Sequence, residues 1–128
     1  VVAIGLVFDT QQRILIAKRP PTTSYAGLWE FPGGKVEAHE DIYQGLCREF
    51  HEEVGIHIEK ADPFLHFMDD NINYELDIHV WHIQSYHGQA QGCENQEIRW
   101  AAIETLQSYT FPQANTVIIE ALPQLSLT

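Results

Sequence analysis

Glu49, Glu52 and Glu53 stand at spacing i, i+3 and i+4. On a helix this spacing puts three carboxylates on one face. The surrounding segment predicts such a helix from about Glu40 to Val54, because Ile42, Leu46 and Phe50 fall at i, i+4 and i+8 and make one apolar stripe. Gly55 follows as a left-handed C-terminal cap, so the acids occupy the last turns. The backbone dipole is negative at that end, and each acid placed there costs about 0.3–1 kcal/mol. Like-charged neighbours add about 0.2–0.5 kcal/mol per pair. A hard divalent cation offsets both costs: Mg²⁺ and Mn²⁺ prefer carboxylate oxygens, and Mg²⁺ bridges protein carboxylates to substrate phosphates. From the three acids alone, a solvated acidic helix end is an equal reading.

The flanking elements must position these acids. Val1–Phe8 reads as a buried strand, Asp9–Gln12 as a hairpin turn and Arg13–Lys18 as the returning strand. Pro20–Gly27 reads as a loop and Leu28–Phe31 as a short apolar stretch. The triplet Pro32-Gly33-Gly34 is a breaker that requires unusual backbone angles. Phe64–Met68, Tyr74–Ile83 and Glu97–Ala101 read as strands. In the second of these, Leu76, Ile78, Val80 and His82 alternate with Asp77, His79, Trp81 and Ile83. Pro112–Leu122 reads as a second helix, with Pro at its start and Pro123 ending it. The order of elements predicts a mixed α/β fold, a single domain over residues 1–128.

Composition excludes several function classes. The 128 residues carry a formal net charge of −11, which repels a nucleic-acid polymer and an anionic membrane surface. A small phosphorylated ligand is compatible with that charge, because bound cations reverse the local field. Cys47 and Cys93 form no C-x-x-C pair and require no disulfide, which points to a cytoplasmic location. The apolar run Val1–Phe8 is too short to span a membrane and lacks the basic flank of a signal peptide.

From Gly34 to Ile56 the chain reads GKVEAHEDIYQGLCREFHEEVGI. This resembles the Nudix box, whose defined places fall here on Gly34, Glu40, Arg48, Glu49, Phe50, Glu52, Glu53, Gly55 and Ile56. Phe50 stands where an aliphatic residue is more usual. The resemblance implies an α/β/α sandwich with a mixed β-sheet between helices. It also implies a metal site made by Glu49, Glu52, Glu53 and the Gly33 carbonyl, with Mg²⁺ as cofactor and Mn²⁺ as a substitute. Arg48 would orient a catalytic glutamate and also pair with Glu52 at i,i+4. Glu40 would support the loop, or act as a favourable acid at a helix N-terminus. Glu94, outside the box, is implied as a further ligand. Hydrolysis of a diphosphate linkage by metal-activated water follows, with Glu49 or Glu94 as general base and Glu53 in the same catalytic group.

The likeness is similar in more detail to the MutT branch of that family, the sanitising enzymes that hydrolyse oxidised dGTP to the monophosphate and pyrophosphate. It runs through LIAKRP around Arg19, EFPGGKVE at Glu30–Glu37, the acidic loop Glu94–Glu97 leading to Trp100, and FPQAN at Phe111–Asn115. It implies that Asn115 reads the base and that Arg19 and Phe31 line the pocket. Oxidation of guanine at C8 turns the N7 acceptor into a donor beside the O6 acceptor, and one amide pairs with both. The plain alternative for Asn115 is a helix cap. The implied partner is a small-molecule nucleotide, bound by a monomer. The segment His66–Tyr74 departs from the family's pocket strand, and Tyr74 replaces a basic residue. Other substrates carried by the same chemistry are another nucleoside triphosphate, ADP-ribose or a dinucleoside polyphosphate. A non-catalytic nucleotide-binding module would be expected to lose box glutamates, and a Ca²⁺-binding domain would need an EF-hand loop. His79, His82 and His87 do not share one strand face, so the spacing predicts ordinary histidines; Trp29, Trp81 and Trp100 are expected in core or rim packing.

Overall fold

The structure is a computed structural model that describes residues 1–20, 27–70 and 75–125. The loop expected at Pro20–Gly27 falls largely outside these residues, as does Tyr74. Strands β1 (Val2–Val7), β2 (Arg13–Lys18), β3 (Trp29–Glu30) and β4 (Gly33–Lys35) lead into helix α1 (Ile42–Val54). Strands β5 (His57–Asp70), β6 (Glu75–His87) and β7 (Ile98–Ala102) follow, and helix α2 (Asn115–Ala121) comes last. One sheet has the order β4-β1-β6-β5, with β1 and β6 parallel and the other pairs antiparallel. The other has the order β3-β2-β7 and is antiparallel throughout. The turn between β1 and β2 is held by Asp9, whose Oδ1 accepts the backbone N–H groups of Gln11 and Arg13. The expected hairpin is limited to one bridge, Phe8 to Ile14, because the chain passes here from one sheet to the other.

Alternation along β1 sorts the core into two layers. Val2, Ile4 and Leu6 face a cluster that includes Ile78, Val80 and, from the α2 side, Ile118 and Leu122. Ala3, Gly5 and Val7 face α1 through Leu46, Phe50 and Val54. The sheets therefore lie between helices, as the α/β/α expectation requires. Phe50 is fully buried, and its aromatic ring finds room because Gly5 has no side chain. A Cβ on Gly5 would stand 2.5 Å from the Phe50 ring and 2.7 Å from Ile83 Cδ1.

Several boundaries differ from expectation. The helix begins at Ile42 instead of Glu40, because Asp41 caps it: the Asp41 side chain accepts the Gln44 N–H and the Gln44 side chain accepts the Asp41 N–H. Pro32-Gly33-Gly34 does more than break the chain, since Gly33–Lys35 pairs with β1. Strand β5 is far longer than Phe64–Met68. Its first half is polar and contains Pro63, which an edge strand with register shifts tolerates. Helix α2 starts at Asn115 instead of Pro112 and stops at Ala121, where a 3₁₀ turn (Leu122–Gln124) containing Pro123 takes over. A second 3₁₀ turn, Ile103–Ser108, had no periodic signal.

The ring-over-glycine packing makes a checkable claim. Gly5→Ala is expected to lower stability by about 1–3 kcal/mol in urea unfolding. Phe50→Leu in the Gly5→Ala background should recover part of that loss. Strictly additive costs of the two substitutions would show that the ring and the methyl do not compete for the same space.

Candidate active site

The last turns of α1 and the β3–β4 turn come together around one small cavity. Its volume is about 200 Å³, and its wall includes Glu30, Gly33, Glu49, Glu53, Glu94 and Gln96. Helix α1 delivers Glu49 and Glu53 from the same face, as the i,i+4 spacing predicts. Gly33 and Gly34 permit the close approach. Gly33 has φ 155°, and a Cβ there would lie 2.1 Å from the Ala3 carbonyl oxygen. At Gly34 a Cβ would lie 2.4 Å from the Glu49 carboxylate. One glycine is thus needed for backbone conformation and the next for the space that the Glu49 head group fills.

Glu53 is the buried acid of this site, with 7% of its surface exposed. Its Oε2 accepts the Gly33 N–H at 3.1 Å, which ties the turn to the helix. Burial pushes its pKa up to about 8, and Glu30, Glu94 and Glu49 push the same way. Glu49 is also raised, chiefly by burial, against the pull of Arg48. Glu30 is raised by burial as well, although its carboxylate is paired with Arg19 Nη1 at 2.8 Å.

Arg48 organises the acids on the outer side. Its Nε and Nη2 fork onto the two Glu40 oxygens at 2.7 and 2.9 Å. Nη1 reaches Glu49 Oε1 at 3.0 Å and Glu52 Oε2 at 3.2 Å, and Nη2 also donates to the Lys35 carbonyl. The i,i+4 contact with Glu52 and the contact with Glu49 therefore coexist. Glu40 in turn accepts the Glu37 N–H, and the Arg48 fork holds its pKa down to about 2. It precedes the cap residue Asp41 and lies outside the first helical turn.

Glu94 is carried by a loop that closes the end of α1. Gln91 N–H donates to the Val54 carbonyl and Cys93 N–H to the Glu53 carbonyl, at 2.9 and 3.1 Å. These bonds satisfy carbonyls that the helix end leaves open. Gln96 adds a side-chain bond to the Glu53 carbonyl and accepts the Glu94 N–H. Glu52 is not brought into the cavity wall; its side chain is half exposed and faces Arg48. Sequence reasoning passed over Glu30 and Gln96. Glu30 sits in the EFPGG run, but its place depends on β2–β3 pairing.

The donor set suits a hard divalent cation: carboxylates beside the Gly33 backbone, crowded enough to raise one another's pKa. Beside it lies a larger cavity of about 550 Å³, which shares Arg19, Glu30 and Gly33 with the first. Phe31 and Asn115 line it, with Asp69, Asp70 and Leu76 opposite. Phe31 is buried and stacks on Phe111 at 5.2 Å between centroids. Asn115 does not cap α2: the cap residue is Ala114, with no side-chain bond. The Asn115 amide instead leans on the Pro112 carbonyl at 3.4 Å. Trp29, Trp81 and Trp100 pack within or against the core and stay outside this cavity wall.

The raised pKa of Glu53 predicts a pH-dependent stability. A carboxyl that titrates near 4.5 when unfolded and near 8 when folded favours the folded state in its protonated form. That contribution is complete below the unfolded value and is lost as pH rises through the folded one. In metal-free protein, Glu53→Gln should therefore melt higher than the parent at pH 8. The excess should be at least about 3 °C, the shift worth about 1 kcal/mol in a domain of this size. The gap should close towards pH 4.5. Equal melting temperatures at pH 8 would contradict the burial of an ionisable acid.

Comparison with known proteins agrees with this geometry. A family model described as the NUDIX domain matches residues 3–121. CTP pyrophosphohydrolase of Escherichia coli K12 is 33% identical over 95% of this chain and 90% of its own length. The 8-oxo-dGTP diphosphatase of the same organism is 32% identical over 97% of this chain and 96% of its own. Among solved structures, a MutT from work on Aliivibrio salmonicida and Vibrio cholerae superposes with a TM-score of 0.85 and 36% identity, covering 97% of both chains. Nudix hydrolases in general use a divalent metal. The glutamate-lined helix end, the glycine turn against it and these likenesses make the chain a member of the Nudix hydrolase family.

Proposed function

We propose that the chain, acting as one domain over residues 1–128, hydrolyses 8-oxo-dGTP to the monophosphate and pyrophosphate with Mg²⁺. The observation that carries this reading is the shared wall between the two cavities. Arg19, Phe31 and Asn115 line the larger one, the carboxylates line the smaller one, and Gly33 borders both. A base held beside Asn115 thus places its phosphates towards Glu49, Glu53 and Glu94.

Glu49, Glu53, Glu94 and the Gly33 carbonyl are the groups that would hold the cation, while Glu52 is turned towards Arg48. When bound, it neutralises phosphate oxygens and acidifies water. Glu49 or Glu94 takes the proton from the attacking water. The raised pKa of Glu49, set chiefly by burial, makes it a stronger base than a free carboxylate. Arg48 positions Glu49 through its 3.0 Å contact. Water adds to phosphorus, the phosphoanhydride P–O bond breaks, and pyrophosphate leaves. Asn115 can accept from the N7 hydrogen of the oxidised base and donate to O6, a pattern that normal guanine does not match.

A second reading, CTP as substrate, is supported by Asp69 and Asp70 in the wall of the larger cavity. A carboxylate accepts well from the cytosine N4 amino group. It is also supported by the likeness to the CTP pyrophosphohydrolase.

Turnover of 8-oxo-dGTP, dGTP and CTP, with Mg²⁺ and with EDTA, separates the two readings. The expected result is metal-dependent release of pyrophosphate with the oxidised substrate preferred in kcat/KM. Asn115→Ala should reduce that preference by at least about tenfold, since a mismatched polar contact carries such discrimination, and should leave the Mg²⁺ dependence unchanged. Preference for CTP, or undiminished discrimination in Asn115→Ala, would contradict the lead reading.

A further inference from the structure

We propose that His66, Asp77 and His79 form a second metal site, suited to a borderline transition metal such as Zn²⁺, on the sheet face opposite the nucleotide cavity. His66 on β5 and His79 on β6 are direct cross-strand partners. Their rings stack with centroids 4.0 Å apart and planes 12° from parallel. Asp77 precedes His79 by two residues and shares its face of β6. Both histidines aim the same atom at the same oxygen: His66 Nε2 lies 2.6 Å and His79 Nε2 3.0 Å from Asp77 Oδ1. Among the described residues, this is the one trio of His, Cys, Asp or Glu whose ligand atoms all lie within 4.8 Å of one another.

The chemistry of the trio differs from that of the glutamate site. Two imidazoles and one carboxylate fit Zn²⁺, with bonds of about 2.0–2.2 Å, whereas Mg²⁺ favours oxygen donors. Around a tetrahedral ion those bonds put ligand atoms about 3.3 Å apart. From the observed spacings of 3.0 Å at His79 and 2.6 Å at His66, side-chain rotation has to open the contacts by about 0.3 and about 0.7 Å. His66 is more than half exposed and His79 about one-fifth, so an ion can enter from solvent.

The site is separate from the nucleotide cavity because strand alternation divides them. Leu76 and Ile78 line that cavity, while Asp77 and His79 border a groove with Val36, Tyr43 and Trp81. An ion held by the trio cross-links β5 to β6 beside Asp69, Asp70 and Leu76, which form a wall of the nucleotide cavity. Spacing along β6 does not bring His79, His82 and His87 to one face, and the structure agrees. His82 packs edge-on against Phe8, and His87 stacks on His57.

The test is Zn²⁺ titration of the full chain in saturating Mg²⁺, which keeps the carboxylate site filled, read by side-chain ¹⁵N NMR of the histidines. The expected result is a shift of the Nε2 resonances of His66 and His79, with His51, His57 and His87 unmoved. By calorimetry, His79→Ala and Asp77→Asn should each weaken Zn²⁺ binding by at least about tenfold, and Glu53→Gln should leave it unchanged. Shifts at His51, His57 or His87 in place of His66 and His79 would overturn the proposal. So would undiminished Zn²⁺ affinity in His79→Ala. The NMR result on the unsubstituted chain decides the matter even if a variant fails to fold.

Discussion

Glu53 holds the site together by being where an acid is costly. It is buried at a helix end whose dipole is already negative, with Glu30, Glu49 and Glu94 near enough to raise its pKa further. The same residue joins three separate pieces of chain. Its side chain takes the Gly33 N–H, and its backbone carbonyl takes Cys93 N–H and the Gln96 side chain. The glycine turn, the helix and the Glu94 loop therefore converge on one residue. A cation bound at this point would remove a penalty that the fold has already accepted, and so couples metal binding to stability.

Arg48 supplies the counterweight. Its fork anchors Glu40, its second arm reaches Glu49 and Glu52, and Lys35 offers it a carbonyl. Through Glu40 the loop before α1 is tied down, since Glu40 also accepts the Glu37 N–H. The acids are thus divided between an outer group neutralised by Arg48 and an inner group around Glu53. Glu49 belongs to both, which places it between a fixed cation and the cavity where the reaction would occur. Lysine could not hold this division, because a single ammonium lacks the planar fork that engages several oxygens in fixed directions.

The helix and its acids were legible because period and spacing decide which side chains share a face. Leu46 and Phe50 reach the core as their spacing requires, and Glu49 and Glu53 reach the cavity together. Strands β1 and β2 were equally plain from their apolar runs, but their division between two sheets was not. Features set by partners distant in sequence were not. The first half of β5 is polar and interrupted by Pro63, and it is a strand only because β6 lies alongside. Glu30 enters the site through β2–β3 pairing, and His66 meets His79 only across the sheet. Asn115 illustrates a competition that local rules misjudge: the residue looks like a cap, yet Ala114 takes the cap position and the amide faces a cavity. The room for Phe50 also lay outside local reading, because it is Gly5, on another element, that provides it.

With a net charge of −11 the chain offers many acids to a cation, so location matters more than binding itself. The most direct measurement is the line broadening of backbone amides by substoichiometric Mn²⁺ in NMR spectra. The inner-group account predicts that the amides of Gly33, Gly34, Glu53 and Glu94 vanish first, followed by those lining the shared wall with the nucleotide cavity. Broadening that begins elsewhere, at Glu97, Glu104 or the Asp77 face, or that spreads evenly over the acidic surface, would contradict it.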